Sequence, residues 1–293
     1  MLENGEIPFC KIRGNLRLKE FEATNPLTVG DIVEVELVEN TDSDYLWITK
    51  IYDRKNYIIR KSVKLSRQVQ IIAANMDRAF VVATPVMPRT SLGFIDRFLA
   101  TAEAYSLAAG IIWNKSDLYD ERVWQHVRET KDLYESVGYK VFTVSSFNGD
   151  GLEELKVVLK DKISLFSGHS GVGKSSLINT LIPDLKLKTA RISSQHLKGI
   201  HTTTFAEMHA LAEGGFIIDT PGIREFGTID FDKHEVSHFF PDIFAVAKNC
   251  KFNNCLHTTE KGCAVIPAVE SGIIAASRFE SYYSIMSGQD VFK

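Results

Sequence analysis

The stretch LFSGHSGVGKSSLIN, Leu165 to Asn179, constrains this chain more than any other. An apolar strand runs into Gly168-x4-Gly173-Lys174-Ser175 and then into a run with helical spacing. That strand–loop–helix order is the phosphate-loop pattern. Glycines at 168, 171 and 173 let the backbone curl until successive N–H groups face one anion. The helix that follows turns its positive end toward the same phosphates. Lys174 supplies a cation for the β and γ phosphates, and the Ser175 hydroxyl a ligand for Mg2+. The segment Gly168–Ser176, with His169, Ser170, Gly171, Val172 and Gly173 between its ends, is the candidate phosphate cradle.

The other parts of a nucleotide site are present, but in an unusual order. NKSD, Asn114 to Asp117, follows the strand AAGIIW. The Asp117 carboxylate matches the paired N–H donors of guanine. Adenine would leave it unmatched, at a cost on the order of several kcal/mol. Asn114 can bond the opposite edge of the base and tie this loop to the phosphate end, and the Lys115 stem can cover the ring face. Ser145 and Ser146 end the next strand, where a backbone N–H can meet guanine O6. After the phosphate loop comes the polar run ARISSQHLKGIHTTT, read as a loop ordered by a γ-phosphate and Mg2+. One of Thr202 and Thr203 is expected as its Mg2+ ligand, ahead of Thr204, with an ordinary surface loop as the alternative. In IIDTPG, Asp219 holds Mg2+ through a water and the Gly222 N–H meets the γ-phosphate.

An ordinary GTPase begins with the phosphate loop; here NKSD and SS precede it. From about residue 70, apolar strands alternate with helical runs, which implies a mostly parallel sheet covered on both faces. All its loops then emerge at one rim, so the site depends on convergence in space and not on chain order. The order is that of a circular permutation, which places DTPGIREF directly before the C-terminal region. We expect three domains: a small β-barrel over residues 1–68, built on strands such as GNLRLKEFE, VEVELVE, LWITKIYDR and YIIRKSV; an α/β phosphate-loop domain over 69–226; and a mostly helical region over 227–293. Any other small antiparallel domain also fits the first segment.

Four cysteines occur, three of them between positions 250 and 263. Cys250-x4-Cys255-x-His257-x5-Cys263 offers three thiolates and one imidazole, a closed tetrahedral zinc shell and so a structural one. Reduced, unligated cysteines are the alternative. Cys10 stands apart and is expected to be a plain buried thiol. A net charge of −3 argues against wholesale attraction to nucleic acid, so RNA contact requires a local patch. IYDRKNYIIRKSVKLSR, basic and aromatic, is the candidate, with a solvated basic edge as the bland reading.

Permuted order, barrel strands and the Cys/His cluster together resemble the bacterial ribosome small-subunit-dependent GTPases, the RsgA/YjeQ family. The resemblance rests on NKSD, GHSGVGKSSLIN, GIHTTT, DTPGIREF and CKFNNCLHTTEKGC. It implies an OB-fold, a permuted GTPase domain, a zinc domain, and GTP hydrolysis stimulated by the small subunit late in its maturation. The expected partners are GTP or GDP and the small subunit with its rRNA, for a monomeric cytoplasmic protein away from membranes. Ile223 stands where many GTPases carry a water-orienting glutamine, so slow intrinsic turnover is expected. His201 then either positions the attacking water or merely packs. A nucleotide-gated scaffold with incidental hydrolysis is the competing class. A metabolite kinase is a third, against which NKSD speaks.

Overall fold

A computed structural model describes residues 1–2, 5–12, 26–37, 45–61, 69–187, 206–220 and 231–289. The expected strand GNLRLKEFE, the polar run with His201, Thr202 and Thr203, and the positions Gly222 and Ile223 lie outside the described residues. The chain separates into two compact units, Met1–Met76 and Asp77–Lys293.

The first unit is all β among its described residues, and Cys10, expected to be buried, is exposed because it lies on a first strand whose four residues all face solvent. β1 (Phe9–Ile12), β2 (Val33–Glu36) and β3 (Tyr45–Ile51) form a sheet in the order β1-β3-β2, and β4 (Tyr57–Lys61) pairs antiparallel with β5 (Val69–Ala74). The expected barrel is represented by these two sheets and by the bridge between Val29 and Ala73. β5 pairs with β4, and this compact unit ends at Met76. Its connecting turns are held by partly buried polar contacts. Arg54 grips Asp31 with two N–H groups at 2.6 and 2.7 Å. Asn56 exchanges two hydrogen bonds with the backbone of Met76, at 2.7 and 2.9 Å.

In the second unit, strands alternate with helices as the apolar runs predict: β6 (Arg78–Ala83), α1 (Leu92–Ala104), β7 (Ala108–Trp113), α2 (Glu121–Val137), β8 (Lys140–Thr143), α3 (Leu152–Leu159), β9 (Ile163–Ser167) and α4 (Lys174–Leu181). β10 (Glu207–Ala210) and β11 (Phe216–Asp219) complete a six-stranded sheet in the order β10-β11-β9-β6-β7-β8. Only β10 runs antiparallel to its neighbour. Burial on both faces explains the long apolar runs in β6 and β7. Val82, Ile112, Phe142, Phe166 and Ile217, one from each parallel strand, meet Leu155 of α3 and Leu177 of α4 in a single core. Asp120 caps α2 by accepting the Val123 N–H at 2.9 Å.

The C-terminal segment adds a short turn at Val236–Phe239, then α5 (Pro241–Ala247), α6 (Val265–Glu270) and α7 (Ala276–Met286). Its core joins Phe240, Ile243, Val265 and Tyr282 to Ala100 of α1. α7 packs along α1.

Candidate nucleotide site and metal cluster

The loops that follow β6, β7, β8 and β9 leave the sheet at the same rim. Asn114 is fully buried there and joins three of them. Its backbone N–H donates to Ala83 O at 2.9 Å, its Nδ2 donates to Val172 O of the phosphate loop at 2.9 Å, and its Oδ1 accepts the Ser146 N–H at 3.2 Å. Lys115, in the left-handed region at φ 68°, lays its Nζ on Gly171 O at 2.7 Å and Met87 O at 2.8 Å. Burial lowers its pKa, with Asp117 pulling the other way. Ser145 Oγ donates to Asp117 Oδ1 at 2.5 Å and accepts the N–H groups of Phe147 and Asn148.

The phosphate loop is shaped by what its glycines leave out. A Cβ on Gly173, at φ 87°, would stand 2.5 Å from Asn114 Nδ2. One on Gly168 would stand 2.3 Å from Val82 O. These two positions bring the loop against the base-side asparagine and against the strand end. Lys174 opens α4 and bonds the Asp219 carboxylate at the end of β11. Burial pushes its ammonium down to about 8 even beside that carboxylate. Ser175, Ser176 and Ser170 follow or precede it in the same loop–helix junction, and His169 stacks on Phe94 of α1 with ring centroids 3.7 Å apart. Gly222, Thr202, Thr203 and His201 are the predicted site residues outside the described set.

Three contacts had no counterpart in the sequence reading. Tyr119 donates to Asn114 O at 2.6 Å, Thr180 donates to Ser146 O at 3.0 Å, and Phe94 meets His169. Thr180 lies on α4, which faces back to the SS loop, and only the tertiary fold reveals that. The Ser145 hydroxyl also orients Asp117, a contact that the motif spacing does not show.

The ligand atoms of Cys250, Cys255, His257 and Cys263 all lie within 4.8 Å of one another. His257 Nδ1 is 3.6 Å from Cys250 Sγ and 3.5 Å from Cys263 Sγ. A tetrahedral zinc shell sets such atoms about 3.5 Å apart, so spacing and donor type both fit a metal ion. Burial and the neighbouring thiols push the Cys255 thiol up to about 12. A bound cation reverses that order, because coordination deprotonates a thiol. Glu260 folds the intervening loop by accepting N–H groups from Leu256, Thr258 and Thr259 at 2.8, 2.8 and 3.1 Å. Partial burial opposes its charge, but those donors hold the carboxyl down at about 2.

The family model for the RsgA GTPase matches residues 51–229. A protein of Bacteroides fragilis, strain YCH46, described as a small ribosomal subunit biogenesis GTPase RsgA, is 49% identical over 288 residues, covering 98% of this chain and 92% of that protein. One from Flavobacterium psychrophilum with the same description is 50% identical over 286 residues, covering 98% and 88%. Among solved structures, YjeQ from Thermotoga maritima superposes with a TM-score of 0.79 at 35% identity, covering 99% of this chain and 93% of that one. YloQ, titled a circularly permuted GTPase, superposes at 0.74 with 30% identity, covering 99% and 89%.

Proposed function

This chain belongs to the RsgA GTPase family, and from that premise we propose that it hydrolyses GTP in the biogenesis of the small ribosomal subunit, late in that subunit's maturation. The observation that carries the site assignment is Asn114, whose amide spans from Ser146 in the base loop to Val172 in the phosphate loop. One side chain thereby fixes the distance between purine and phosphates. Asp117, oriented by Ser145, accepts the two guanine N–H donors; the Lys115 stem covers the ring.

Lys174 gives its ammonium to the β and γ phosphates and releases Asp219. Ser175 and Asp219 are hard oxygen donors suited to Mg2+, and Thr202 or Thr203 completes that set. Mg2+, when bound, neutralises charge on the transferring phosphoryl group. His201 orients the attacking water, so that His201→Ala abolishes subunit-stimulated turnover while GTP binding persists. The Cys3His cluster holds structural zinc. The three functional parts, residues 1–68, 69–226 and 227–293, are an RNA-binding barrel, a GTPase and a zinc domain. Support for RNA contact in the barrel comes from its basic–aromatic surface, where Lys11 Nζ lies 3.7 Å above the Tyr45 ring and Lys50 Nζ 4.4 Å above the exposed Tyr52 ring.

GTP turnover with and without purified small subunits tests this reading. We expect slow turnover alone and a large rise with small subunits but not with large ones. Equal turnover in all three, with GTP-dependent subunit binding retained, favours the scaffold.

A further inference from the structure

We propose that the C-terminal segment positions the phosphate loop through α1, with Phe94 and Arg278 as the positioning residues; this rests on reading Gly168–Ser176 as the GTP cradle. α1 is held on two sides. In its first turn, Phe94 is buried and stacks on His169 inside the phosphate loop. Asp96 lies two residues on, about 200° around the helix, and so faces away from that loop.

There its Oδ1 accepts Arg278 Nη1 at 2.7 Å and the Tyr134 hydroxyl at 2.8 Å. The same guanidinium grips Asp242 of α5 with Nε at 3.1 Å and Nη2 at 2.8 Å, and lies 4.7 Å over the Phe240 ring. Arg278 is 1% exposed and Asp96 is fully buried. One turn along α7, Tyr282 donates to Leu256 O at 2.9 Å and packs its ring 5.8 Å from that of His257. An unbroken series of packed groups therefore joins the metal cluster to the phosphate loop, with α1 in the middle.

A fork bonded at both prongs holds α1 in register, since a shift of the helix breaks a charge-assisted bond in a dry environment. Anything that fixes α7 thus fixes Phe94 and the loop it supports. The reverse follows by linkage: a nucleotide that orders the loop stabilises α7 by the same factor.

A double-mutant cycle on GDP affinity, with hydrogen exchange in Ala276–Met286, tests this. Phe94→Ala and Arg278→Met are each expected to weaken GDP about tenfold, within the usual range for site coupling, and together by clearly less than the product. Saturating GDP should slow α7 exchange severalfold in the unaltered protein, and Phe94→Ala should remove that protection. Where Arg278→Met does not fold, Arg278→Lys keeps the charge but loses the fork. Strictly additive losses, or α7 exchange indifferent to bound GDP, overturn the proposal and leave the cradle intact. Failure of the unaltered protein to bind GDP overturns both.

Discussion

Asn114 bonds a protein partner through each end of its amide and so holds two loops at one separation. The contact requires that residue 173 have no side chain. We expect Gly173→Ala to lose nucleotide binding by about 100-fold or more, because the methyl meets Asn114 Nδ2 and the backbone at φ 87° disfavours any L side chain. Fluorescent-GDP titration measures this, and an unchanged far-UV spectrum separates it from unfolding. Lys174 gives a second prediction at this scale. Its ammonium titrates at about 8, below the usual value, because it is buried. Only the protonated form pairs with phosphate, so affinity is full below about 8 and falls as pH rises through it, approaching tenfold per unit. Fold stability moves the opposite way between about 8 and about 10.4, since the unfolded chain holds more protons there. GDP affinity that stays flat from pH 7 to 9 refutes the assignment.

At the scale of elements, the parallel sheet and its helices were legible because each is a strong periodic run bounded by clear signals. KISLFSG became β9, and DERVWQHVRETKDLYESVG became α2, capped by Asp120 and ending before Gly138. Loop convergence followed from strand direction alone. Side-chain traffic between loops was not legible: Thr180 to Ser146, or His169 to Phe94, depends on helix placement that no local period encodes. The Cys/His spacing gave the metal cluster, but not the part of Glu260, whose position in TTEKGC looks like any surface acid. Its carboxylate organises the turn between His257 and Cys263 through three backbone N–H groups. Glu260→Ala should cost the metal loop about 1–3 kcal/mol. Metal release to a colorimetric chelator should then run severalfold faster; an unchanged rate would show that the thiolates and imidazole alone hold the turn.

Across the whole molecule, the permuted order gives the C-terminal segment a structural debt to the sheet unit. Ala100 of α1 sits in the same core as Phe240, Val265 and Tyr282, and Asp96 takes its cationic partner from 182 residues away. Burial pushes the Asp96 carboxyl up from its usual value, against the pull of Arg278. Removing the guanidinium therefore leaves the buried Asp96 with no counter-charge. Arg278→Met should cost about 3–5 kcal/mol, as breaking one side of a buried pair does. In a unit of this size that is a fall of roughly 6–20 °C in Tm. A chain cut after residue 230 should fare worse, because it strips the apolar cover from α1 as well as the charge. We expect it to keep helical far-UV signal, lose near-UV signal and bind ANS, the marks of a collapsed state without fixed packing. If the cut chain instead melts cooperatively at the temperature of the intact protein, the segment is a detachable appendage. Nucleotide and metal would then act on separate bodies, and the register of α1 would belong to the sheet alone.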